Sequence, residues 1–244
     1  MTTNNANVEL NQAPEVQMPP LSEQLLKVPP IDGQKMTVGV YSFEDKTGQR
    51  KPADAGSSLS SAVTQGADVW VVDALMKVGG GTWFDVVERA NMDDVIKERQ
   101  LVRQTQENYD QNAEPLPPMV FAGVLLAGGI VGYDSNVTTG GAGARYFGIG
   151  AKDEYRVDTV TVSMRLVSVT TGRVLLSVAA EKSIASHREG VDVFKFLDLG
   201  TKALEIESGF SVNEPVNYAV RAAIEAAVIE LVYEGTRRDL WNFK

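Results

Sequence analysis

The chain has no cysteine and a single histidine, His187, among its 244 residues. Without cysteine there are no disulfides, thiolate metal sites or cysteine nucleophiles, and the redox compartment stays open. One histidine excludes a His-based metal cluster and argues against a Ser-His-Asp triad, so His187 reads as an exposed polar residue. Basic residues, 23, are outnumbered by 32 acidic ones. The net charge of −9 argues against a nucleic-acid partner, and no Lys/Arg block suggests a grip on anionic lipid. The longest apolar run, from Met119 to Gly132, falls short of the about 20 residues a spanning helix requires. The opening MTTNNANVEL lacks the charged and apolar regions of a signal peptide. By hydropathy alone the chain reads as soluble.

Phosphate-binding signatures are missing too. There is no G-x-x-x-x-G-K-[ST], and the start made by Gly141 and Gly143 meets Tyr146 where a dinucleotide fingerprint needs glycine. No cofactor is expected. The acidic pairs Asp93-Asp94 and Asp153-Glu154 are explained by a helix start and a solvated strand, so no enzymatic activity is expected either.

What is present is an alternation of strand and helix patterns, an α/β core. Residues 1–34, rich in Asn, Gln and Pro, read as an extended arm with one helical turn at Leu21–Leu26. Residues 35–45 alternate as a strand with Val38, Val40 and Phe43 inward, and 46–59 form a polar loop. A helix is predicted from Ser60, with Val63, Ala67, Val71, Ala74 and Leu75 on one face and a stop at Gly79–Gly81. A strand follows at 82–90, and Asn91 caps a further helix. The run 119–132 is a buried strand. The clearest helix spans 215–234, with Gly235 as its C-cap.

Two stretches alternate differently. From 152 to 158 the even positions are Lys152, Glu154, Arg156 and Asp158, while the flanking odd positions include Ile149, Ala151, Tyr155 and Val157. Successive strand residues face opposite sides, so this ribbon separates water from something less polar. A second candidate lies at 186–207, with a turn expected at Asp198–Thr201. The plain reading is two surface hairpins of an antiparallel sheet. The other is membrane strands, which one chain cannot supply alone. Lipid-exposed backbone tolerates no unpaired edge, so several chains would have to pool their hairpins into a closed barrel.

The stretches EDKTGQRKP (44–52), IVGYDSNVTTGGAGARYFGIGA (130–151), VSVTTGRVLLSV (167–178), FKFLD (194–198), ESGFSVNEPV (207–216) and EGTRRDLW (234–241) closely resemble the curli secretion channel (CsgG-like) family of bacterial outer membranes. The resemblance implies an outer-membrane lipoprotein with an α+β periplasmic domain and two β-hairpins per chain. A ring of about nine such subunits would close a barrel of about thirty-six strands. It further implies passive export of unfolded curli-type amyloid subunits, with a periplasmic cap protein, an extracellular coupling protein and outer-membrane lipid as partners. The family's lipidated cysteine is absent, and its removal or replacement is expected rather than a natural loss. The alternative is a soluble periplasmic oligomeric adaptor that does not insert.

On this reading the arm (1–34) precedes a periplasmic first part, 35–134, which includes the loop 46–59. The first transmembrane hairpin spans 135–158, periplasmic strands 159–185, the second hairpin 186–209, and the C-terminal helix and tail 210–244. The family narrows its path with a tyrosine, an asparagine and a phenylalanine after TGQ-x-KP. Here Ala53 takes the tyrosine position, Ser57 or Ser58 the asparagine position and Leu59 the phenylalanine position, with Asp54 in the same stretch; one extra residue leaves the last assignments open. A less aromatic constriction is expected. The lumen set is Lys152, Glu154, Arg156, Asp158, Arg188, Asp192, Glu205 and Glu207. The lipid set is Val137, Ile149, Ala151, Tyr155, Val157, Val191, Val193, Leu204 and Ile206. Repeated around a ring, each lumen charge becomes a belt that biases entry.

Overall fold

A computed structural model describes residues 20–49, 62–109, 114–139, 154–189, 193–198 and 215–244. In chain order the elements are α1 (Ser22–Lys27), β1 (Met36–Asp45), α2 (Ala67–Gly81), β2 (Phe84–Glu88), α3 (Met92–Tyr109), β3 (Val124–Thr139), β4 (Glu154–Ser168), β5 (Val174–Glu189), β6 (Val193–Asp198) and α4 (Pro215–Arg237). The six strands form one sheet in the order β2-β1-β3-β4-β5-β6. β1 pairs in parallel with both β2 and β3, and the remaining pairs are antiparallel. Parallel neighbours need crossovers, which α2 and α3 supply.

The core lies between the sheet and the layer of α2 and α4. α2 packs on β1 and β2, α4 on β4 and β5, and the two helices touch each other. Val38, Val40 and Phe43 of β1 are buried as their alternation predicts. On β4 the inward row Val160, Val162, Met164 and Leu166 is wholly buried, while Arg165 between them is exposed. Ala219, Ala223, Val228, Leu231 and Val232 of α4 complete the contact.

Four expectations are corrected here. The helix predicted from Ser60 begins at Ala67; Val63 is 2% exposed but sits in the irregular segment before it. The strand predicted at 119–132 begins at Val124 and runs on to Thr139, because β4 accompanies it for its whole length. The stretch from Met119 to Ala122 is irregular. The arm is not merely extended in its described part. Leu25, Val28 and Ile31 are buried, Ile31 bridges Phe243, Asp32 N–H donates to Asn242 O at 2.8 Å, and Lys244 N–H donates to Pro30 O at 2.9 Å.

The fourth concerns Gly235, which is not a C-cap. α4 continues through it to Arg237, and a Cβ at 235 would lie 1.9 Å from Cζ2 of Trp241. The glycine makes room for the indole, whose Nε1 donates to Val232 O at 2.8 Å. Trp241 meets Trp83 edge-on at 5.9 Å, and Phe243 meets Trp83 at 5.7 Å. This aromatic knot joins both ends of the described chain to the start of β2. By contrast, the stop at Gly79–Gly81 holds: these three residues have φ of 60°, 65° and 74°, left-handed values that glycine adopts without a Cβ penalty.

Candidate functional site

β1 stops at Asp45, paired with Ile130, and Lys46 N–H closes the pairing on Ile130 O at 2.9 Å. β3 does not stop there. From Val131 to Thr139 it continues with β4 alone on that side, past a register shift between Ile130 and Gly132. β5 extends beside β4, and β6 beside β5. The junction therefore has two parts: the root of the loop that leaves β1, and the base of the outrunning strands.

At the base, the inward row of β4 turns from apolar to charged in one step, from Val160 to Asp158. Asp158 is 2% exposed. Its Oδ1 accepts from the Tyr133 hydroxyl at 3.0 Å and from Arg156 Nε at 3.0 Å. Arg156 Nε also donates to Ser135 Oγ at 2.7 Å, and its Nη2 to the Tyr133 hydroxyl at 3.1 Å. Asp158, expected to face lumen water, is instead the buried half of an ion pair. Its partner Arg156, 32% exposed, reaches solvent.

The root is tied by hydrogen bonds between its two limbs. Asp45 Oδ1 accepts from Thr47 N–H at 2.8 Å and from the Thr47 hydroxyl at 2.6 Å, while Oδ2 accepts from Gln65 Nε2 at 3.3 Å. Ala62 N–H donates to Gln49 O at 2.9 Å. Neither Tyr133 nor Asp45 was among the candidates from sequence. Tyr133 is paired with Val160 and gains its role only because its hydroxyl reaches Asp158 diagonally across the strands. Asp45 in an E-D-K-T-G run carried the local signal of an Asx turn.

A second buried carboxylate lies within the body. Glu225 of α4 is 1% exposed, accepts from Leu21 N–H at 2.7 Å and pairs with Arg221 at 3.3 Å, which in turn pairs with Asp73 of α2 at 3.1 Å. Burial pushes the Glu225 carboxyl above its ordinary pKa, with the Leu21 N–H and Arg221 opposing.

Ala53, Asp54, Ser57, Ser58 and Leu59 lie outside the described residues, as do Lys152, Asp192, Glu205, Glu207, Ile149, Ala151, Val191, Leu204 and Ile206. Backbone pairing places the others. Arg156 is registered with Ser186 and Asp158 with Ile184, Arg188 with Phe194, and Val157 with Ala185. Glu154 is paired with Thr139, Tyr155 with His187, and Val193 with Glu189. Val137 is registered with Arg156. The turn expected at Asp198–Thr201 lies, apart from Asp198, outside the described residues. Asp198 itself ends β6, which runs back along β5 with Glu189 opposite Val193, so the chain has already reversed before Val193.

No helix among the described residues is long and apolar enough to cross a membrane. The fold and junction define a class: an α+β body whose central strands extend past the end of β1. The chain belongs to the CsgG family, since residues 22–244 match the family described as "Curli production assembly/transport component CsgG". It is 41% identical over 218 residues to the component of that name from Citrobacter koseri and, over the same length, to that from Escherichia coli strain K12. Each match covers 88% of this chain and 77% of theirs. A PelC dodecamer from Paraburkholderia phytofirmans is 14% identical, covering 84% of this chain and 92% of that chain at a TM-score of 0.31, too loose to carry a conclusion.

Proposed function

We propose that the protein is a subunit of an outer-membrane ring that passively conducts unfolded curli-type polypeptide from the periplasm to the cell surface. One observation carries the reading: the strands at the centre of the sheet do not end with the body. Val131–Thr139 runs on beyond the last residue of β1 and carries β3 into the hairpin read at 135–158. Those ribbons have open edges, which a bilayer forbids unless neighbouring copies pair with them. Membership of the CsgG family supports a role in curli transport.

Arg156 stands where such a ribbon leaves the body, and it keeps a partly exposed guanidinium above a neutralised carboxylate. Repeated around a ring, the Arg156–Asp158 pair presents guanidinium donors at the barrel entrance with little net charge, while the acidic lumen positions beyond it, Glu154 among them, set a negative sign. Cargo moves without catalysis. The periplasmic cap and extracellular coupling proteins engage the two ends of the channel. The loop 46–59 narrows the path, and with Ala53 in place of an aromatic ring it grips cargo weakly and leaves a wider bore.

Single-channel recording in a planar bilayer tests this. The parent conducts, and Ala53→Tyr lowers the open current as a ring of new side chains enters the bore. Equal currents would remove Ala53 from the narrow point, and no current at all from detergent-extracted protein would remove the channel.

A further inference from the structure

The loop expected to narrow the channel leaves the sheet at Asp45, and the returning limb is seated in the core at Ala62 and Val63, 6% and 2% exposed. What lies between can hold a fixed height only if its two limbs are fixed to each other. The Asp45 carboxylate shares this task with the backbone bond from Ala62 N–H to Gln49 O. Its Oδ1 fixes the outgoing limb through the Thr47 amide and hydroxyl, and its Oδ2 holds Gln65 of the returning limb. The Thr47 hydroxyl passes the constraint on, accepting from Gln49 N–H at 3.2 Å, and Gln49 O accepts from Ala62 N–H. An amide at position 45 would hold only one limb. Its oxygen could keep the Thr47 turn, but its nitrogen cannot accept from Gln65.

We propose that Asp45 is a positioning residue for the constriction, a clamp that sets where each subunit's loop sits in the bore. This rests on the reading of 46–59 as the constriction loop. Asp45 meets no cargo in this account. It acts through Thr47 and Gln65, and its loss lets the loops around a ring tilt independently, so that the narrow point loses its uniform width.

The test uses the assembled, detergent-extracted protein and four versions of it: parent, Gln65→Ala, Asp45→Asn, and Asp45→Asn with Gln65→Glu. The last reverses the polarity of the contact and keeps the charge of the pair, since the amide introduced at position 45 can donate to the carboxylate introduced at position 65. Gln65→Ala removes the tie without changing charge and, at an exposed position, without threatening the fold. Hydrogen exchange of the Thr47, Gln49 and Ala62 amides is read first, and open-pore current noise second. Exchange at these amides rises about fivefold in each single variant, the effect of one ordinary hydrogen bond, and returns to the parental rate in the double variant. Current noise follows the same order. Exchange unchanged in Gln65→Ala would overturn the clamp. Faster exchange with unchanged noise would overturn its role in positioning the narrow point. A parent that never conducts removes the constriction itself, and the proposal with it, whatever the exchange rates.

Discussion

Val162 and Asp158 stand on the same face of the same strand, four residues apart in number and almost equally hidden from water. Val162 is covered by apolar packing within the core that α4 completes. Asp158 is hidden among polar groups, each hydrogen-bonded to the next. The body and the outrunning strands thus exclude water by opposite means. In the body, burial is stabilising in itself, at about 25 cal/mol per Å² of apolar surface. At the junction it is tolerable only while every partner stays in place, because an uncompensated buried charge is costly.

The comparison predicts its largest effect in the body. Trp241→Ala empties the aromatic knot that ties both ends of the described chain to Trp83, and costs about 3–5 kcal/mol in a denaturant titration. A loss below about 1 kcal/mol would show that the chain ends are not held by that packing.

At the junction the two halves of the ion pair should behave unequally. Arg156→Ala strands the Asp158 carboxylate, 2% exposed, with the Tyr133 hydroxyl still donating to it, and costs about 3 kcal/mol. Asp158→Ala frees an arginine that already reaches water and still meets Tyr133 and Ser135, and costs about 1 kcal/mol. Equal losses in the two variants would mean that Asp158 is not buried in the assembled protein.

The smallest effect is a pH slope. The folded-state pKa of Glu225 is raised above its unfolded value, so the folded chain holds this proton more tightly. Its contribution to stability is complete below the ordinary glutamate range and shrinks as pH rises through the folded value. Glu225→Gln keeps an oxygen for the Leu21 amide, leaves Arg221 paired with Asp73, and abolishes that part of the slope. Thermal midpoints across mildly acidic to neutral pH check it. A slope unchanged in the variant would assign the dependence to another group.

How much of this was legible in advance follows from where each signal is carried. Val38, Val40, Phe43 and the α4 face were readable because local periodicity and burial agree. The resemblance to curli channels identified the family from strings such as GARYFGIG, which no periodicity could have done. Gly235 misled because a glycine at the end of an apolar run looks like a cap, while its actual reason, the Trp241 ring, is tertiary. Asp158 misled because alternation separates two faces without saying whether a charged face meets water or an arginine.

The central claim is that paired ribbons leave the body and are completed only by neighbouring copies. Electron micrographs of detergent-extracted, full-length protein test it most directly. The account predicts closed rings with a central channel and a stalk of outward strands. A field of separate single-chain particles, each ribbon lying against its own sheet, would contradict it.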